Sequence, residues 1–574
     1  MTDLPTWGAI PSDTGTRFRL WAPDVPEVGL CLPDGEHDMK TVGDGWFELT
    51  ADAPVGTEYA FRLPDNHRVP DPASRLQAET VHGTSVVASS AHDWRHDRPD
   101  RGWHEAVIYE CHIGTFTPEG TYRAAIEKLP HLADLGVTVL EILPVAHFGG
   151  DRGWGYDGVL PYAPHPAYGT PEELRELIDA AHAHGLMVLM DVVYNHFGPD
   201  GNYLHMYASR FFDPERQTPW GAGIAYAAEP VRRFFIENAL YWIRDFNLDG
   251  LRLDAIDHVR DPHSDTEILI DLAREVRATV DRPVHLTTED NRNVTHLHAR
   301  DGDRVPLMTA EWNDDWHNAA HVLLTGETEG YYDAYADDPT SLLVRSMAEG
   351  FSTRGAGGKG SPSGHLPPDV FIDFLQNHDQ IGNRAMGERL TVLADHDRLR
   401  AMQALLLLSP HVPMIFMGDE WDETNPFLFF AGFEGELGKA VTQGRRREFE
   451  HFKSFSASDV PDPVDPKTFE RSRIDWSKAE SEAGQAALAR HRELLILRRE
   501  RIVPMIPGTG SDCGTMLKAP ALCFAVDWQL GGGRLSVRTN LSDAKADLPP
   551  ADGDLIHLTG DAPGVPASTA FWIS

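Results

Sequence analysis

An α/β fold built on a (β/α)8 TIM barrel is what this sequence predicts, with an N-terminal β-sandwich and a C-terminal antiparallel β domain. Three observations carry that expectation. Four apolar, strand-like runs, at 187–196, 249–254, 284–289 and 370–379, each stop at polar, titratable residues. In such a barrel the C-terminal strand ends gather on one face. From Val107 onward, strand-like and helix-like segments alternate, as parallel strands with crossover helices require. Both ends of the chain carry short alternating runs separated by Gly, Pro and Asp, the pattern of antiparallel sheets.

The length of 574 residues exceeds what one core supports. Domains are expected at 1–100, 101–503 and 504–574, with a short inserted loop domain at 197–228. The formal charge of −37 argues against nucleic acid or an anionic membrane as partner. A soluble, acidic surface accounts for it. Cys31, Cys111, Cys513 and Cys523 are scattered without metal-ligand spacing, which fits reduced thiols in a cytosolic protein. The first residues lack a signal-peptide pattern and no apolar run approaches membrane-spanning length. A cytoplasmic monomer or weak homodimer with no membrane partner is expected.

Taken in order, the runs 17–21, 28–32, 46–49 and 59–63 are β-like and suggest the sandwich. The barrel is expected to begin at 107–113, followed by helix-like 122–135 and strand-like 137–143. The loop 150–158 sets Trp154 and Tyr156 among glycines and acids, a poor core segment. Helix-like 172–184 leads to the third strand. The following loop, 197–228, shows no obvious run of calcium ligands, so no metal and no cofactor are expected. Helix-like 231–246 leads to the fourth strand, and 284–289 is the fifth. Beyond the sixth, Asp314, Asp315, Trp316, His317 and Asn318 read as a substrate-binding loop, or else as an exposed acidic turn. The glycine-rich stretch 353–368 reads as a flexible loop or lid. The seventh strand ends at 376–384, the eighth spans 414–420, and an amphipathic helix covers about 485–500. The runs 522–528 and 534–538 flank Gly531-Gly532-Gly533, a hairpin signature.

The stretch Asp249-Gly250-Leu251-Arg252-Leu253-Asp254 is the most telling. Alternation along a strand puts Arg252 and Asp254 on one side. A carboxylate buried beside a guanidinium favours its charged form, and an ionised, positioned carboxylate is what a glycosidase uses as nucleophile. Taken alone, the stretch fits a structural ion pair as well. Glu289 closes the fifth strand, where burial or a neighbouring carboxylate can raise its pKa as a general acid requires. Asp379 is a third carboxylate. With Asp254 as nucleophile, it is left to hold sugar hydroxyls and stabilise developing positive charge, with His378 positioning it.

Taken together, Asn195-His196, Arg252-x-Asp254, Glu289 and His378-Asp379, in that order and spacing, resemble the four signature segments of the α-amylase superfamily of glycoside hydrolases. The resemblance implies Asp254 as nucleophile, Glu289 as proton donor and Asp379 as transition-state stabiliser. It implies that Tyr156 lines the subsite of the reacting glucose, that Asp191 and Asn195 shape the site and that His196 contacts the sugar. Arg252, Leu253, Ala255, Ile256 and Asp257 flank the nucleophile and are assigned to substrate binding. So are the run from Asp314 to Asn318, His378, and Gln380, Ile381, Gly382 and Asn383 after the third carboxylate. An α-glucan is the implied partner.

Within the superfamily, 109–121, 153–159, 195–203 and 377–384 look like the malto-oligosyltrehalose trehalohydrolase family, over nearly the whole chain. That implies hydrolysis of the α-1,4 bond joining a malto-oligosaccharide to a terminal trehalose. The 1,4-α-glucan branching enzymes, or another α-amylase-type glucan hydrolase, are the nearest alternatives. A glucan-binding protein without catalysis is a reading from another class, and the joint presence of Asp254, Glu289 and Asp379 argues against it. The run Asp290-Asn291-Arg292-Asn293 is unusual for its position.

Overall fold

The computed structural model describes residues 5–218, 220–302, 304–353, 362–449 and 459–574. A closed barrel of eight parallel strands forms its centre. The strands are β1 Ile108–Cys111, β2 Val139–Ile142, β3 Met187–Val192 and β4 Gly250–Leu253. They continue with β5 His285–Thr288, β6 Ala310–Trp312, β7 Phe371–Phe374 and β8 Val412–Phe416. Every residue of these strands is buried. Strands covered on both faces read as near-continuous apolar runs, so the charged exceptions stand out: Glu110, Glu141, Asp191, Arg252, Glu311 and Asp373. The register aligns Glu110 with Glu141 across β1 and β2, and Asp191 with Arg252 across β3 and β4.

The crossover helices follow the sequence expectations with local corrections. Pro171–Ala183 opens on a capping box, with Thr170 Oγ1 accepting from Glu173 N and Glu173 accepting from Thr170 N. Glu229–Asp245 precedes β4. The segment expected as one helix over 122–135 is two, Tyr122–Ile126 and Leu129–Leu135. Pro130 lies in the first turn of the second, where its missing N–H costs nothing, and it could not continue the first. The amphipathic helix near the C-terminus runs Glu482–Leu497. The polar segment after β6 is not a loop: Asp314–Thr325 is a helix, begun by two aspartates that favour a helix N-terminus.

Before the barrel, two antiparallel sheets pack Phe18 of one edge-on to Tyr59 of the other, with ring centroids 4.8 Å apart. Trp7 docks this unit on the barrel. Its Nε1 donates to Pro230 O (2.9 Å), and its ring meets Phe234 at 5.0 Å. After the barrel comes a five-stranded antiparallel sheet. In its central hairpin, Cys523–Leu530 and Gly533–Asn540 are joined at Gly531 and Gly532. Trp528 ties it to the barrel by donating to Met347 O (2.9 Å). The inserted segment after β3 is a short helix, Leu204–Tyr207, and a hairpin of Phe212–Thr218 with Gly221–Ile224. Of the stretch expected as a lid, 354–361 lie outside the described residues. Among the described residues, no helix is long and apolar enough to cross a membrane.

Candidate active site

Arg252 organises the C-terminal face of the barrel. Its side chain is fully enclosed, and three carboxylates reach it from three strand ends. Nη1 donates to Asp254 Oδ1 (3.1 Å), to Tyr156 OH (3.3 Å) and to Asp191 Oδ2. Nη2 donates to Glu289 Oε2. The other Asp254 oxygen, Oδ2, accepts from Asn195 Nδ2 (2.9 Å). Tyr156 OH donates to Asp191 Oδ2 (2.6 Å). The His196 ring is held between Asn195 Oδ1 and the Tyr156 carbonyl.

After β4 the chain makes an unusual turn. Ala255 sits at φ 40°, in the left-handed region that costs a non-glycine residue energy. The turn brings its N–H to Glu289 Oε2 at 3.1 Å. Glu289 thus has one oxygen held by Arg252 and Ala255. Asp379 follows β7 in the short helix His378–Gly382, capped by Asn377, whose Oδ1 accepts from Asp379 N (2.9 Å). Asn383 Nδ2 donates to Asp379 Oδ1 (3.3 Å). Side-chain exposure separates roles: 10% for Asp254, 21% for Glu289 and 32% for Asp379, against 3% for Asp191. The first three face the cleft, and Asp191 lies beneath them.

The charges do not balance. Arg252 faces three carboxylates at once, and Asp379 and Asp314 add to the negative field. Protons are retained as a result. Burial, then Asp254, Asp379 and Asp314, outweigh Arg252 and hold Glu289 well above the ordinary carboxylate range. Burial pushes Asp191 up to about 7 against Arg252. Burial, then Asp379, pushes Asp314 up to about 7. A proton-bearing acid therefore stands beside a doubly hydrogen-bonded carboxylate, the pairing that glycosidic bond cleavage requires. Among the described residues, no group of three or more His, Cys, Asp or Glu is placed to hold a metal ion.

The residues singled out in sequence divide. Tyr156, Asp191, Asn195, His196, Arg252, Asp254, Ala255, Glu289, Asp314, His378, Asp379 and Asn383 converge here. Gln380 is half-buried. Asp257 lies near Arg292, which grips Asp290 through Nε (2.8 Å) and Nη2 (2.7 Å). Leu253, Ile256, Trp316 and Ile381 are buried in the hydrophobic core. Gly382 is needed as glycine, because a Cβ there would lie 2.0 Å from Trp154 Cζ2. Asp315 and His317 are also buried, each held by partners from neighbouring segments. Asp315 Oδ2 accepts from Asn293 Nδ2 (3.0 Å), Ser352 N (2.7 Å) and Thr353 N (2.8 Å). His317 Nδ1 donates to Leu375 O (2.7 Å) and is buried. Asn318 is half-buried, in hydrogen-bond contact with Tyr335.

Residues 88–221 match the family model of the alpha amylase catalytic domain, and 511–572 match a domain of unknown function. Over 504 residues the chain is 43% identical to a malto-oligosyltrehalose trehalohydrolase of Deinococcus radiodurans, covering 86% of this chain and 82% of that protein. The chain belongs to the malto-oligosyltrehalose trehalohydrolase family. It is 40% identical over 505 residues to the Mycobacterium tuberculosis member (strain H37Rv), covering 84% and 86% of the two chains. A crystal structure of a Salmonella typhimurium protein, assigned provisionally as an alpha amylase, superposes with a TM-score of 0.96 at 49% identity over the full length of both chains.

For a trehalohydrolase-family chain, the cleft has features that sequence reading missed. Trp220, from the inserted hairpin, is 45% exposed, stacks on His196 (4.5 Å, 12°) and meets His258 edge-on at 5.0 Å. Tyr331 is 79% exposed and within electrostatic reach of Asp379. Trp220 lies in a hairpin turn and Tyr331 in the short 3-10 helix Gly330–Tyr335, segments too short for periodicity, so only aromatic residues in turn-rich surroundings could have flagged them. Trp312, at the end of β6, underlies Arg252. Glu110 and Glu141 were detectable as charges inside apolar strands.

Proposed function

We propose that this enzyme cleaves the α-1,4 bond next to the terminal trehalose of malto-oligosyltrehalose and releases trehalose, by a retaining double displacement. One observation carries the reaction: a single guanidinium, Arg252, holds Asp254 through Nη1 and Glu289 through Nη2. Asp254 attacks C1 of the glucose at the cut as Glu289 gives its proton to the departing oxygen. The C1–O bond to trehalose breaks while a C1–O bond to Asp254 forms. Glu289, now a carboxylate, takes a proton from water, the water oxygen bonds to C1, and the ester to Asp254 breaks. The malto-oligosaccharide leaves with its α configuration restored. Asp379 stabilises the positive charge that develops at C1.

Family membership supports the substrate. Trehalose is 1,1-linked, so groups that hydrogen-bond it are left unpaired by a 1,4-linked maltose, a strong source of discrimination. Asp314, Asp257 and the Asp290–Arg292 pair supply polar groups for this, and Trp220 and Tyr331 supply aromatic faces. A cytoplasmic setting is supported by four unpaired cysteines. The test is a competition between malto-oligosyltrehalose and plain malto-oligosaccharide at equal concentration. Free trehalose is expected first, with little maltose and no new α-1,6 branch points. Equal cutting of the plain chain would put a general amylase in place of this reading, and new branch points a branching enzyme.

A further inference from the structure

Glu110 of β1 holds His378 by two atoms at once. Its Oε1 accepts from His378 Nδ1 (2.6 Å), and its Oε2 accepts from the His378 backbone N–H (3.0 Å). Both residues are buried. With Nδ1 committed to Glu110, the other ring nitrogen, Nε2, comes within 3.5 Å of Asp379 Oδ1 and has no hydrogen-bond partner among the described residues. Tyr156 stacks on the ring (5.1 Å, 15°) and Trp154 meets it edge-on (5.6 Å), so it cannot swing aside.

We propose that Glu110 is a positioning residue of the reacting-sugar subsite: by gripping His378 through ring and backbone, it fixes the imidazolium that aims Asp379 at the sugar. The inference rests on the role of Asp379 proposed above. The titratable and charged groups around His378 are Glu110 on β1, Glu141 on β2, Asp191 on β3, Arg252 on β4, and His112, Tyr156 and Asp379 from the loops. Burial pulls the imidazole down, but Asp379 and Glu110 outweigh it and push His378 up to about 9. Glu141, beside Glu110 in register, is pushed up to about 8 by burial and then by Glu110. It is mostly uncharged at neutral pH, which leaves Glu110 as the anion under the ring.

The test compares Glu110→Gln, Glu110→Asp and Glu141→Gln in the full chain, by kcat, KM and Tm across pH. Glu110→Gln is expected to lower kcat about 10- to 100-fold, with KM changed less than about threefold. Its alkaline limb should move to lower pH, because His378 loses the anion that holds its proton. Glu110→Asp keeps the charge but shortens the reach, so kcat should fall while the limb stays near its wild-type position. Glu141→Gln should leave kcat and the limb unchanged. Wild-type kcat in Glu110→Gln, or the same limb in both Glu110 variants, would overturn the inference. Should Glu110→Gln not fold, unchanged kcat in Glu110→Asp would do so alone. Wild-type failure to release trehalose would count against the proposed function, while the Glu110 variants are still read on whatever α-glucan the wild type cuts.

Discussion

The guanidinium of Arg252 lies 3.9 Å from the centre of the Trp312 indole, face to face with an aromatic surface two strands away. A cation over indole is held by about 0.5–2 kcal/mol, more when desolvated. The ring covers one face of the cation, and its Nη groups reach Tyr156 and the carboxyl groups of Asp191, Asp254 and Glu289. Trp312→Leu is therefore expected to loosen Arg252 and lower kcat/KM about tenfold, equivalent to about 1.4 kcal/mol of barrier. Trp312→Phe keeps a weaker face and should lose less. Steady-state kinetics check this, and a leucine variant with wild-type kcat/KM would show that the indole does not position Arg252.

The negative field that holds the Glu289 proton gives a directional pH test. Glu289 works as an acid only while protonated, so activity falls as pH rises through its pKa. Asp314 is one of the groups that raise that pKa, and it is itself ionised only above about 7. Asp314→Asn removes its charge, so Glu289 should lose its proton at lower pH. The alkaline limb of kcat/KM is expected to move down, whatever happens to the plateau. A limb that stays in place or moves up would mean that Asp314 does not act on Glu289.

The site was legible in sequence wherever a strand ended in a polar residue. Asp254, Glu289 and Asp379 are of that kind, since an apolar run followed by a carboxylate marks a barrel rim. Legibility failed where tertiary packing decides which side chains are covered. Asp314, Asp315, Trp316 and His317 are adjacent in sequence, yet Asp315, Trp316 and His317 are buried while Asp314 lies in the field of the other carboxylates. It failed again beneath the rim. Glu110, Glu141 and Trp312 lie within strands; the two glutamates stand out as charges in apolar runs, but nothing local separates a buried charge that serves the site from a structural one. The barrel and both flanking sheets were legible because alternation and turn residues are local. The break at Pro130 was equally local and was passed over in favour of continuous periodicity.

Glu141 also makes a stability test. It is buried without a hydrogen-bond partner among the described residues, and burial raises its pKa from 4.5 to about 8. A folded pKa above the unfolded one gives stability that is complete below the unfolded pKa and lost as pH rises through the folded one. The wild type should therefore lose about 1.4 kcal/mol per pH unit relative to Glu141→Gln between about 4.5 and about 8. Thermal unfolding of both proteins across that window checks it. The Tm difference should grow in favour of the variant as pH rises. A difference that stays constant would mean that Glu141 is ionised in the folded protein.

The role of Asp254 is open to the most direct measurement of all. Cleavage beside trehalose gives the malto-oligosaccharide a new reducing end, whose C1 records how many displacements occurred. Proton NMR of the first turnovers, taken before mutarotation, reads the configuration of that carbon. Two displacements through a covalent Asp254 ester should release the α anomer first. Initial appearance of the β anomer would mean that water attacks directly, and it would contradict a nucleophilic Asp254.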